Sequence, residues 1–291
     1  MSAVAVPSAR RRRRRPARRW LGSIAANLAA LVFLAFTLFP VYWMVVTSFK
    51  RDQDIVTLSP RFLPWPATLA HFVDAVGKPY FWTYAFNSVV VSAATVAISL
   101  VVAFLAGTAV SRFRFRGRRF FLVAVIVVQM VPLTAMIIPL FLVLRDVDML
   151  NRLPGLVATY VVFVLPFTIW TLRSFIDGVP IELEEAAMVD GCSRVQAFRK
   201  VLLPLIAPGL VATAIFAFIQ AWNQFLFPLV LMQHQDKYTL TVWLVSFSTN
   251  RGTDFGGLMA ASTLFTLPVV VLFLLVQRRI VSGLTAGAVK G

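Results

Sequence analysis

The sequence predicts an all-α integral membrane protein with six transmembrane helices, and three observations carry that prediction. Charged residues make up 14% of the 291 positions and hydrophobic types 59%, where a soluble domain carries about 25% charged residues. Six stretches lack Asp, Glu, Lys and Arg over a length sufficient to cross a bilayer. The lysines and arginines outside those stretches fall unevenly on alternate connections.

A helix rises about 1.5 Å per residue, so about 20 apolar residues cross a hydrocarbon core of about 30 Å. The charge-free stretches are 20–49, 79–111, 120–144, 153–172, 201–235 and 255–277. They place spans near 22–47, 86–110, 120–144, 154–174, 207–231 and 258–278. The first follows eight arginines in the first nineteen residues and stays apolar to about Val46. That is too long for a secretory apolar segment of about 7–15 residues, so it reads as an uncleaved span.

Orientation follows from basic residues in the connections. With the N-terminus inside, the cytoplasmic segments are the tail, 111–119, 173–204 and 278–291, and they hold 20 of the 28 Lys and Arg. The other 8 fall in outside loops, which favours both termini in the cytoplasm. The chain then divides into a basic tail (1–19), a transmembrane domain (20–280) containing an inside loop at 177–204, and a C-terminal tail (281–291).

The net charge of +16 does not read as a nucleic-acid surface, because no folded soluble region is available to carry a groove-reading element. A basic tail beside anionic lipid accounts for it. One cysteine, Cys192, cannot form an internal disulfide, a metal cluster or a redox pair. All twelve acidic residues fall in loops, whereas ion-coupled carriers keep an ionisable residue at membrane depth. His71 and His234 fall in outside loops and read as solvated side chains. No paired catalytic groups lie at membrane depth, which argues against an embedded enzyme. A self-sufficient channel or carrier would explain the spans but not the loop described next.

Pro40, Pro132, Pro139, Pro166, Pro228 and Pro268 fall within spans and kink them, either as packing irregularities or as bends lining a path. Gln129, Gln220, Trp222, Asn223 and Gln224 are polar or amphipathic groups near membrane depth. They read either as the lining of a solute pathway or as interhelical hydrogen-bond partners, with Trp222 also suited to an interfacial anchor.

The loop 177–204 is too long and too patterned for a plain connection. Pro180 suits a first helical turn, and Glu182, Glu184 and Glu185 favour that helix's positive end. Gly191 suits its C-terminal corner. Ser193 with Gln196 forms a capping box for a second helix, which Pro204 ends. Val195, Phe198 and Leu202 give this second helix an apolar side. Two short helices at the inner membrane face fit either an amphipathic element on lipid or a docking site for a soluble partner, approached closely at Ala186 and Ala187.

The string Glu185-Ala186-Ala187, three residues, Gly191, nine residues, Val201-x-Leu203-Pro204 resembles the EAA motif of binding-protein-dependent ABC importer permeases. Valine replaces the usual isoleucine, Asp190 fits, and Cys192 stands where alanine is common. The tail from Gln277 to Gly291, the Ala221-Trp222-Asn223 step, Asn87-Ser88 and the long outside loop 50–85 are similar to those of the maltose-type carbohydrate-uptake branch. The resemblance implies a type I ABC importer permease fold in a bacterial cytoplasmic membrane. It implies a second permease, ATPase subunits docked on the loop through Glu185, Ala186, Ala187, Asp190, Gly191, Leu203 and Pro204, and an extracytoplasmic solute-binding protein. No phosphate-cradling GxxxxGK[ST] motif is present, so ATP is expected on the partner ATPase and no cofactor in this chain. The implied cargo is a sugar or oligosaccharide, with a phosphorylated polyol such as glycerol 3-phosphate as the alternative.

Overall fold

A computed structural model describes residues 17–249 and 252–288. Residues 1–16 of the expected N-terminal tail with its arginine run, and the last three residues including Lys290, lie outside the described residues, while most of the expected C-terminal tail continues α14. The helices are α1 (Ala17–Ser48), α2 (Asp52–Ile55), α3 (Ala70–Gly77), α4 (Phe81–Arg112), α5 (Arg118–Gln129), α6 (Ile137–Asp146) and α7 (Leu153–Asp177). They continue with α8 (Glu182–Val189), α9 (Arg194–Ala197), α10 (Leu203–Leu205), α11 (Ala207–Trp222), α12 (Leu226–Leu231), α13 (Leu240–Val245) and α14 (Phe255–Ala288). A two-strand ribbon, β1 (Ser248–Thr249) and β2 (Gly252–Thr253), precedes α14.

Among the described residues, four helices are long and apolar enough to cross a membrane, or six with each of two bent pairs taken as one span. The third span, expected at 120–144 with kinks at its prolines, is not a single helix. It breaks into α5 and the segment Leu133–Asp146, bent by 95°. Pro132 lacks an N–H and adopts an extended conformation (φ −60°, ψ 129°), so α5 ends before it and the chain restarts through a 3₁₀ turn. Pro139 sits in the first turn of α6, where its missing donor costs nothing. The fifth span is also divided: α11 stops at Trp222 and α12 starts at Leu226. Pro228 leaves the Gln224 carbonyl without a helical donor, and Thr241 Oγ1 supplies one at 2.7 Å.

α4 packs along α7, and α11 closes against both. Lipid gives no hydrophobic drive between helices, so close packing of small residues holds them. Ser88, Ser92, Thr95, Ser99 and Ala103 of α4 are all buried. Gly107 continues this face, and a Cβ there would lie 3.3 Å from the Arg173 backbone nitrogen. Gly209 of α11 faces the ring of Phe175, and a Cβ would come within 2.3 Å of Cγ. α1 packs mainly on α14 and leaves most of its apolar surface outward.

At the end of the bundle that carries α3, His71 is buried, contrary to the solvated position expected for it, whereas His234 is exposed. The His71 ring fills the space over Gly256 at the start of α14, and Nε2 lies 2.9 Å from the Lys50 carbonyl. It thereby ties α3 to the ends of α1 and α14. Lys50 itself is buried with Nζ 3.9 Å from the Trp43 ring centroid. Burial pushes its ammonium below the ordinary lysine range, partly opposed by Asp54.

Two outcomes follow from this packing. Gly209→Leu forces Phe175 or α11 to move, at a cost of about 1–3 kcal/mol, and lowers the detergent melting temperature. Gly77→Ala, with nothing within 4 Å of the added carbon, leaves it unchanged. The hydroxyl of Tyr160 is buried without a hydrogen-bond partner. Tyr160→Phe therefore keeps or raises thermal stability, by up to about 1–2 kcal/mol.

Candidate functional site

The loop 177–204 folds as two short helices around a tight corner. Glu182, Glu184 and Glu185 occupy the first turn of α8, with Ile181 at the N-cap. Pro180 lies just before that cap, one position outside the expected turn. At the other end, Gly191 takes φ +91°, and its N–H reaches the Met188 carbonyl at 3.1 Å. The Cys192 N–H reaches the Ala187 carbonyl at 3.0 Å. This paired arrangement satisfies the last carbonyls of α8 and requires a residue free to adopt positive φ. Ser193 then caps α9 with the expected box: Ser193 N–H donates to Gln196 Oε1 at 2.8 Å and Gln196 N–H to Ser193 Oγ at 3.3 Å.

The second helix does not end at Pro204. It passes from α9 through a π turn (Phe198–Leu202) into α10, and the chain bends by 68° between the segments Arg194–Leu205 and Ala207–Trp222. The wide turn accommodates the missing proline N–H without breaking the helix. Leu202 and Ile206 bury beside Ile176 and Val179, and the Phe198 ring packs at a tilt of 36° on Phe104 with centroids 4.7 Å apart. Val195 does not join that apolar side.

The corner presents an uncovered mixed surface. Val189 is 87% exposed, Val195 64% and Leu183 46%. Glu182, Glu185, Ala186, Asp190, Gly191 and Pro204 are exposed, while Ala187 and Leu203 are half-buried. Glu184 points the other way. Its Oε1 accepts from Arg112 Nε at 2.8 Å, and the two side chains are only 13% and 11% exposed. Arg112 Nη2 also donates to the Val179 carbonyl at 2.9 Å. This tie, between residues 72 positions apart, has no local signal in the sequence.

Deeper in the bundle, a cleft of about 230 Å³ opens where the third span breaks. Gln129, Gln220 and Gln224 line it together with Phe163, Phe167 and Phe216. Phe167 and Phe216 stack with centroids 3.7 Å apart. Three of the five expected pathway residues thus converge. Trp222 does not: it is buried between Phe218 and Phe265, and its Nε1–H donates to the Phe265 carbonyl at 3.1 Å. Asn223 turns back on α11, donating to the Ile219 carbonyl at 2.9 Å. The aromatic lining was missed in the sequence, although Phe163 and Phe167 share a helix face at i, i+4. Among the described residues no group of His, Cys, Asp and Glu is arranged to hold a metal ion.

A permease of a diacetylchitobiose uptake system, DasC of Streptomyces coelicolor, is 48% identical to this chain over 270 residues, covering 93% of this chain and 98% of the relative. MalG of a trehalose/maltose transport system in Thermococcus litoralis is 35% identical, covering 93% and 98%. A crystal structure of a bacterial ABC transporter that imports the acidic polysaccharide alginate contains a chain that superposes with a TM-score of 0.75. It is 23% identical, with 94% of this chain and 99% of that chain covered, so the likeness is one of fold, that of an ABC importer permease. Residues 99–285, well over half the chain, match the family of binding-protein-dependent transport system inner membrane components. The sequence of the corner, the bundle around it and these matches agree: the chain belongs to that family.

Proposed function

We propose that this chain is one of two permease subunits of an ABC importer that carries a neutral sugar or oligosaccharide across a bacterial cytoplasmic membrane. The observation that carries this reading is the capped corner at 177–204, a rigid element whose exposed face no part of the described chain covers. Glu185, Ala186, Ala187, Asp190 and Gly191 form its leading edge, with Leu203 and Pro204 at its base. An ATPase subunit docks there and supplies the energy, binding ATP itself, while an extracytoplasmic binding protein delivers solute from the outside. The distribution of Lys and Arg, 20 inside against 8 outside, supports both termini in the cytoplasm.

The cleft supports the choice of solute. Gln129, Gln220 and Gln224 offer hydrogen bonds beside phenylalanine faces, which suits hydroxyl-bearing rings. A phosphorylated polyol needs a cation, and no Lys or Arg lines the cleft. The permeases of diacetylchitobiose and trehalose/maltose systems among the relatives are consistent with a glycan cargo.

The test is co-purification of the tagged chain in mild detergent, with mass-spectrometric identification of its companions. Wild type brings an ABC ATPase and a second permease. Gly191→Pro, which forces φ near −65° onto a residue at +91°, loses the ATPase and keeps the permease, as does Glu185→Lys. A wild-type chain that purifies alone under several gentle conditions overturns the proposal. In the assembled transporter, Gln220→Leu raises the half-saturating sugar concentration about fivefold, the value of one hydrogen bond of about 1 kcal/mol. Uptake titrations against sugar concentration check this.

A further inference from the structure

We propose that α4 is the strut that carries motion of the docking corner to the outer face, with Arg112 and Asn87 as the positioning residues at its two ends. The proposal rests on the importer reading above. α4 is 32 residues long and contains no proline. The other long helices, α1, α7 and α14, each contain one in the interior, at Pro40, Pro166 and Pro268. The remaining spans are bent by 95° and 68°. Among the described helices, α4 is therefore the long element with no built-in point of flexure.

Among the described residues, its polar ties to other elements lie only at its ends. At the inner end, Arg112 holds Glu184 and the Val179 carbonyl, 2.8 and 2.9 Å away. Ser111 Oγ donates to Asp177 Oδ1 beside it. At the outer end, Asn87 Nδ2 donates to the carbonyls of Asp236 and Tyr238, each at 2.9 Å. Ser88 Oγ accepts from the Leu240 N–H at 2.8 Å. Asn87 and Arg112 are 25 positions apart, about 37 Å along a helix. Between them, the buried hydroxyls of Thr95 and Ser99 make no hydrogen bond, so no polar contact pins the middle of α4 to α7.

The outer segment held by Asn87 and Ser88 leads directly to Thr241, whose hydroxyl donates to the Gln224 carbonyl at 2.7 Å. Gln224 lines the cleft. Displacement of α8 pulls on Arg112 through a desolvated, charge-assisted pair. A straight α4 delivers that displacement to 236–241, and so to the outer side of the cleft. This gives the coupling a defined element whose position both faces bias, as a transmission claim requires.

The experiment uses the complete complex with its ATPase and second permease. Spin labels are placed at Leu58→Cys and Gln235→Cys, both exposed outer positions, in a Cys192→Ser background. Their separation is measured by pulsed dipolar spectroscopy with and without ATP and vanadate. With no further substitution, nucleotide shifts the distance distribution. Arg112→Gln retains the ATPase on co-purification and cuts the shift to less than half. Asn87→Leu, far from the corner, does the same. The exchanged pair Arg112→Glu/Glu184→Arg restores the shift. An undiminished shift in both single variants, with ATPase bound, overturns the strut and leaves the importer reading intact. Absence of ATPase from the unsubstituted complex instead overturns the importer reading.

Discussion

The structure depends on the close approach of α4 and α7. In lipid two helices gain nothing from hydrophobic exclusion, so they associate where side chains are small enough to bring backbones together. The face of α4 running from Ser88 through Ser92, Thr95, Ser99 and Ala103 to Gly107 supplies that contact. α11 adds to it through Gly209 against Phe175. With this seam closed, Arg112 at the end of α4 reaches Val179 and Glu184 beyond the end of α7. The cleft forms on the other side of α7, where the broken third span and α11 face Phe163 and Phe167.

The same constraint explains which irregularities are tolerated. A break in a membrane helix exposes backbone groups that lipid cannot satisfy. The break after Trp222 is tolerated because Thr241 reaches the Gln224 carbonyl. The break between α5 and α6 borders the cleft, with Val131 and Leu133 in its lining. The broken third span thus lies beside the cleft, whereas α4, which contains no proline, has no such break. The proposed division of labour has a local cause, namely where the prolines are.

Features set by a few neighbouring residues were legible in the sequence. The capping box of Ser193 and Gln196, the positive φ of Gly191 and the acidic first turn of α8 all follow from residues within a turn or two. The six spans were legible because charge is so costly in lipid. Hydropathy records composition and not direction, so the kink expected at Pro132 came without an angle, and the break into two segments bent by 95° was not legible. His71 was misread because it is amphipathic, and only the fold shows that Gly256 lies opposite it; of the two readings of Trp222, its bond to the Phe265 carbonyl matches the interhelical hydrogen-bond partner. The Arg112–Glu184 pair joins two distant segments and needs the α4–α7 seam to exist before it has any meaning.

The central claim is that this chain provides a path whose opening is driven from outside itself. Its most direct test is uptake of radiolabelled diacetylchitobiose and maltotriose into proteoliposomes containing the chain, its second permease and its ATPase, with binding protein outside and ATP within. The account predicts uptake of a glycan that requires ATP and stops when the ATPase is omitted. Uptake that proceeds without ATP, or through vesicles containing this chain alone, contradicts it.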